Sequence, residues 1–172
     1  MAVTSVNGGL QVYLSWQNID TESSTSNTVT DEGSFLYSRT FSSGTGYGQI
    51  NNIWHGVTTL TSGASQQYNM SGLAYNVFSG TFYKNFSNVR CFFLENYNSG
   101  VGENIAVRAT GTVAWTNIFN GGSGDLLVGP KTPLILGNYM TGVPVSTGNN
   151  SLWINNLSNT GITIKVGVLG LI

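Results

Sequence analysis

Apolar residues in this chain come only in short runs, rich in aromatic and β-branched types, and each run is closed by a cluster of glycine, asparagine or serine. That grammar belongs to strands and turns, because branched and aromatic side chains suit a pleated surface and small polar residues suit tight reversals. Residues 10–16 (LQVYLSW) alternate apolar and polar, and 34–41 (SFLYSRTF) and 53–60 (IWHGVTTL) are equally rich in strand formers. Further strands are predicted at 67–70, 89–97, 105–109, 126–128, 134–136, 151–155 and 162–168. Turns are predicted at Asn98-Ser-Gly100, Asn120-Gly-Gly122 and Asn159-Thr-Gly161. Nowhere do apolar residues recur at helical spacing over the dozen or so positions a helix needs, apart from one helical turn expected at 73–78.

The expected fold is therefore all-β. About eight to ten short strands with loops of uneven length and no internal repeat suit a single-domain two-sheet β-sandwich or jelly roll with long loops, rather than a barrel or propeller. At 172 residues the chain is long enough for one substantial core. Residues 1–20 are assigned to a candidate N-terminal arm and first strand, and 21–172 to the sandwich body. The tract 20–33 holds four of the seven carboxylates and almost nothing apolar, so it is expected to be one long exposed loop.

Charge narrows the function classes. Only 8% of residues are charged, against about 25% in ordinary soluble domains, so solvation rests on amides and hydroxyls. The six cationic residues, Arg39, Lys84, Arg90, Arg108, Lys131 and Lys165, are scattered singly at a formal net charge of −1. A nucleic-acid backbone wants a clustered basic face, so no direct nucleic-acid partner is expected. The beginning of the chain carries no secretion signal and no run approaches a membrane span, so the expected product is soluble, made in the cytoplasm and without a membrane partner.

One stretch imitates a nucleotide site. Gly124-Asp-Leu-Leu-Val-Gly129-Pro-Lys131-Thr132 falls one proline short of the phosphate loop G-x-x-x-x-G-K-S/T. That loop must curl its N–H groups round an anion and lead into a helix. Here Pro130 removes an N–H and biases Gly129 toward extended geometry, 126–128 reads as a strand, and Pro133-Leu-Ile-Leu136 reads as another. Two strands joined by a turn account for the stretch.

Other candidates for chemistry fare similarly. The single Cys91 lies in an apolar run and is expected to be a buried hydrophobe. His55, the only histidine, has no second imidazole or thiolate to share a metal and is expected to form a structural hydrogen bond. Asp31 and Glu32 point to opposite faces if extended, and Glu95 with Glu103 is the other pair available for acid–base hydrolysis. All four are expected to be solvated charges. Asn69, Asn85, Asn149 and Asn156 each open an Asn-x-Ser triplet, as chance allows in so Asn- and Ser-rich a chain. No catalytic, cofactor-binding or metal-binding residue is assigned. Aromatics make up 12% of the chain, Trp16, Trp54, Trp115 and Trp153 among them, and serve either a core or an interface.

With these segments placed, the order of parts resembles small capsid-associated proteins of tailed bacteriophages. A Gly-rich lead (44–48) runs into Trp54-His55 and Thr59-Leu60, then come Leu73 and a strand ending in Glu95-Asn96. The Gly129-Pro turn into Leu134-Ile-Leu136 and an apolar terminal strand, 162–172, complete the likeness. It covers residues 44–172, and the Gly-Pro-Lys-Thr-Pro turn departs from the simpler Pro-Gly turn of that family. The resemblance implies a head decoration, or cement, protein: a β-sandwich subunit, often trimeric, bound to the major capsid protein at capsomer junctions on the virion exterior. A receptor- or carbohydrate-binding head of a viral spike or tail is the alternative expectation, since sandwiches host both.

Overall fold

The structure is a computed structural model and describes residues 5–21, 28–77, 80–119 and 125–172. The arm residues 1–4, the loop residues 22–27, Phe78, the Asn120-Gly-Gly122 turn and Gly124 lie outside the described residues, as does the Trp16 side chain.

Eight strands build the body: β4 (Asn52–Leu60), β5 (Ser65–Asn69), β8 (Asn88–Asn96), β9 (Ile105–Arg108), β10 (Asp125–Val128), β11 (Pro133–Leu136), β13 (Ser151–Asn156) and β14 (Ile162–Leu171). Their antiparallel pairings are nested. First pairs with last (β4·β14), second with seventh (β5·β13), third with sixth (β8·β11) and fourth with fifth (β9·β10). The sheet orders are β11-β8-β14-β4 and β10-β9-β13-β5. A chain folded double and rolled in this way is a jelly roll.

The sheets face each other across one core. Ile162, Ile164, Val166 and Val168 alternate inward from β14 and meet Phe92 and Leu94 of β8 and Leu152 and Ile154 of β13, all essentially without exposure. Buried polar residues tie loops to this core. Asn156 is buried, and its Nδ2–H groups reach the carbonyls of Leu60, Thr61 and Thr160 at 2.7–3.0 Å. That engagement blocks the glycosylation suggested by its triplet. Trp115, wholly buried, donates from Nε1 to the Pro144 carbonyl at 2.8 Å.

The segment 129–132 crosses from β10 in one sheet to β11 in the other, so the phosphate-loop look-alike is an inter-sheet connection with no helix behind it. Lys131 sits there at φ 55°, its N–H donating to the carbonyls of Asn96 and Asn98 and its Nζ 4.0 Å from the centre of the Tyr97 ring.

Three additions decorate the roll. β6 (Leu73–Val77) and β7 (Gly80–Lys84) form a hairpin inserted between β5 and β8, so the expected helical turn at 73–78 is a strand over its described residues. β12 (Val143–Pro144) pairs with β8. β1 (Gly8–Thr21) and β2 (Thr28–Ser43) pair along their whole length, and β3 (Gln49–Ile50) joins the base of β2 in parallel. The expected loop at 20–33 is thus corrected: its described residues continue these two strands, because each ladder position supplies backbone hydrogen bonds that polar side chains do not oppose.

Candidate functional site

The β1–β2 ribbon is the first candidate. Fourteen residues of strand at about 3.3 Å each carry it roughly 46 Å. Its base is seated on the outer face of the β8-containing sheet, where Val6, Leu10, Phe41, Ile50 and Tyr139 pack with Cys91, Ile53, Ile135 and Leu169 in a second small core. The Val6 N–H donates to the Ser43 hydroxyl, so the described part of the proposed arm is docked on its own chain.

Beyond that base the ribbon leaves the body. Residues opposite each other in an antiparallel pair share a face, so Val12–Tyr37 and Leu14–Phe35 continue the apolar stripe of Leu10 along one face. Tyr13–Leu36 lies on the other. These six side chains are 41–66% exposed. Both faces of the ribbon are therefore partly apolar, and a two-stranded ribbon is at best marginal alone in water. Where stripe meets body, Arg39 lies 4.7 Å over the Tyr37 ring and 5.7 Å from that of Tyr139, beside a notch of about 210 Å³.

The second candidate is a cleft along the β4 edge, whose lining shares Ile53 with the small core under the ribbon. Strands β4 and β5 are the edges of their sheets on the same side of the roll, and the β6–β7 hairpin bridges them. Between them opens a cavity of about 590 Å³ lined by Trp54, Tyr68 and Tyr75 together with His55, Gln66, Asn76 and Lys84. Trp54 donates from Nε1 to the Ala74 carbonyl at 2.9 Å, and its indole lies across Gly56, where an added Cβ would come within 2.8 Å of the ring. Gly56 is thus what lets the indole lie flat along the strand. Trp54 and Tyr68 meet edge to face at 5.9 Å, and Lys84 Nζ sits 5.5 Å from the centre of the Tyr75 ring.

Tyr68 is only 7% exposed, and burial pushes its phenol up to about 12. Among the described residues its hydroxyl has no hydrogen-bond partner, and the residue lines the cavity. The hydroxyl is therefore available to a ligand or water.

Among the described residues those singled out for chemistry do not converge, and the Asp31 side chain lies outside them. Glu95 lies 3.5 Å from Lys165 as an ion pair, while the Glu103 carboxylate accepts from the Gly100 N–H and the Thr160 hydroxyl, contacts that hold it below the usual carboxylate range. Glu32 accepts from the Gln17 side chain. Among the described residues no three His, Cys, Asp or Glu side chains gather as metal ligands. Cys91 is buried as expected, its thiol pushed up to about 11 by desolvation. His55 departs from expectation: it is exposed at the cleft rim and makes no hydrogen bond among the described residues.

Sequence reasoning missed both candidates. The ribbon had a signal, since alternating apolar residues stand on either side of a polar tract, but no two-residue turn marked a hairpin. The cleft had none, because it joins three separated segments. No helix among the described residues is long and apolar enough to cross a membrane. Comparison with protein-family models, curated proteins and solved structures finds no match to this chain.

Proposed function

We propose that this protein is a structural virion subunit that binds the outside of a tailed-bacteriophage capsid at capsomer junctions, as a homotrimer, and stabilises the head. The observation that carries this reading is the β1–β2 ribbon, with its six exposed apolar side chains. A dimer packed face to face would cover one side of each ribbon and leave the other wet. A ring of three places every ribbon between two others. A two-stranded face about 46 Å long and roughly 10 Å wide offers about 450 Å². Two covered faces therefore bury about 900 Å² per subunit, shared between two neighbours at about 450 Å² each, so each joint lies at the small end of specific interfaces.

The sequence resemblance supplies the capsid surface as the second partner, and the scarcity of charge suits binding that depends little on salt. A subunit spanning a joint stabilises it because the joint opens only when the subunit's contacts also break. Hydrophobic burial of about 25 cal/mol per Å², less the cost of association, is the source of that resistance.

The test is co-sedimentation of the purified protein with mature shells stripped of it. Saturable binding at a ratio set by capsid symmetry, changing less than about threefold between 50 and 300 mM salt, is the expected result. A folded protein that ignores the shells overturns the capsid reading and brings forward the receptor-binding alternative.

A further inference from the structure

We propose that the cleft between β4, β5 and the β6–β7 hairpin is a binding site for an uncharged saccharide. The inference does not rest on the capsid reading, because it uses the residues of the cleft and not the exposed apolar side chains of the ribbon. Its volume of about 590 Å³ lies within the roughly 300–1,000 Å³ of small-molecule sites.

The lining selects the ligand class. Tyr75, part-exposed, supplies the aromatic surface that suits the C–H face of a pyranose ring, and the buried Trp54 and Tyr68 form the floor behind it. Around them stand groups able to pair with hydroxyls: the Tyr68 phenol, the Asn76 Nδ2, the Gln66 Oε1 and the His55 imidazole, none with a hydrogen-bond partner among the described residues. Asn76 is oriented for this role, since its Oδ1 accepts from the Thr81 hydroxyl at 3.0 Å and its N–H groups are left over. A fatty ligand would leave these polar groups unpaired, at a cost in affinity. A phosphate or sulfate ester would want a guanidinium fork or several cations, and Lys84 is the single Lys or Arg among the described lining residues. Among the described residues the lining holds no carboxylate, so none there supplies the paired carboxyl groups that hydrolysis calls for.

Saturation-transfer NMR on the full chain tests this with the methyl glycosides of glucose, galactose, mannose and N-acetylglucosamine, and with methyl glucuronide as the anionic control. At least one neutral glycoside is expected to bind saturably through its ring protons. Tyr68→Phe removes the hydroxyl and keeps the ring that packs on Trp54, and Asn76→Ala removes an exposed amide. Each is expected to weaken binding at least fivefold while the far-ultraviolet spectrum and shell binding stay unchanged. Absence of binding by every neutral glycoside, binding unmoved by both substitutions, or binding of the glucuronide alone overturns the proposal.

Discussion

Cys91 and Tyr68 are both acids that the fold keeps neutral by burying them, Cys91 in the small core under the ribbon and Tyr68 beside the cleft. An unfolded chain ionises them near 9.0 and 10.0, whereas the folded chain holds their protons to about 11 and about 12. Their contribution to stability is therefore complete below pH 9 and is lost as pH rises through those folded values, at about 1.4 kcal/mol per pH unit for each group. Urea midpoints measured from pH 8 to 11 are expected to fall. The fall should be shallower in Cys91→Ala above pH 9 and in Tyr68→Phe above pH 10. A slope identical in wild type and both variants would assign the alkaline loss elsewhere. That Cys91 would be buried was legible from its apolar neighbours. His55 was misjudged because a lone histidine in a strand alternates to one face or the other, and only the pairing of β4 with β14 puts it outside.

At the scale of the element, the ribbon and the roll behave differently under substitution. Leu14 and Phe35 face each other across β1 and β2, far from the small core that anchors the base. Leu14→Glu is expected to convert the proposed trimer to a monomer in sedimentation velocity while the thermal midpoint of the body moves little, since an exposed site away from the core costs within about 0.5 kcal/mol. An unchanged sedimentation coefficient would remove the ribbon from the interface. The ribbon also explains how its carboxylate-rich tract could be taken for a loop. Polarity disfavours burial, but it does not forbid a ladder whose hydrogen bonds are made by the backbone. The β6–β7 hairpin carries a related lesson. Leu73 is buried and Tyr75 packs against the main core, a spacing of two that a short window does not separate from one turn of helix.

For the whole molecule, stability rests on the core between the two sheets. Ile164 is wholly buried there, and Ile164→Ala is expected to cost about 2–5 kcal/mol in denaturant unfolding. Leu127, 66% exposed on β10, is expected to tolerate alanine within about 0.5 kcal/mol. Equal losses at both sites would contradict this placement of the core. By itself the sequence determined the structural class, the positions of most strands and the collapse of the nucleotide motif, because side-chain alternation, turn chemistry and the missing N–H of Pro130 act within a few residues. Only the tertiary structure decided which strand lies beside which, that the polar tract belongs to a ribbon, and that residues 53–58, Gln66, Tyr68, 74–76 and Lys84 meet in a cleft. Backbone donors and acceptors are alike on every strand, so partners are chosen by which pairing buries the most apolar surface. That quantity, as in β4 with β14 at opposite ends of the roll, depends on residues about a hundred positions apart.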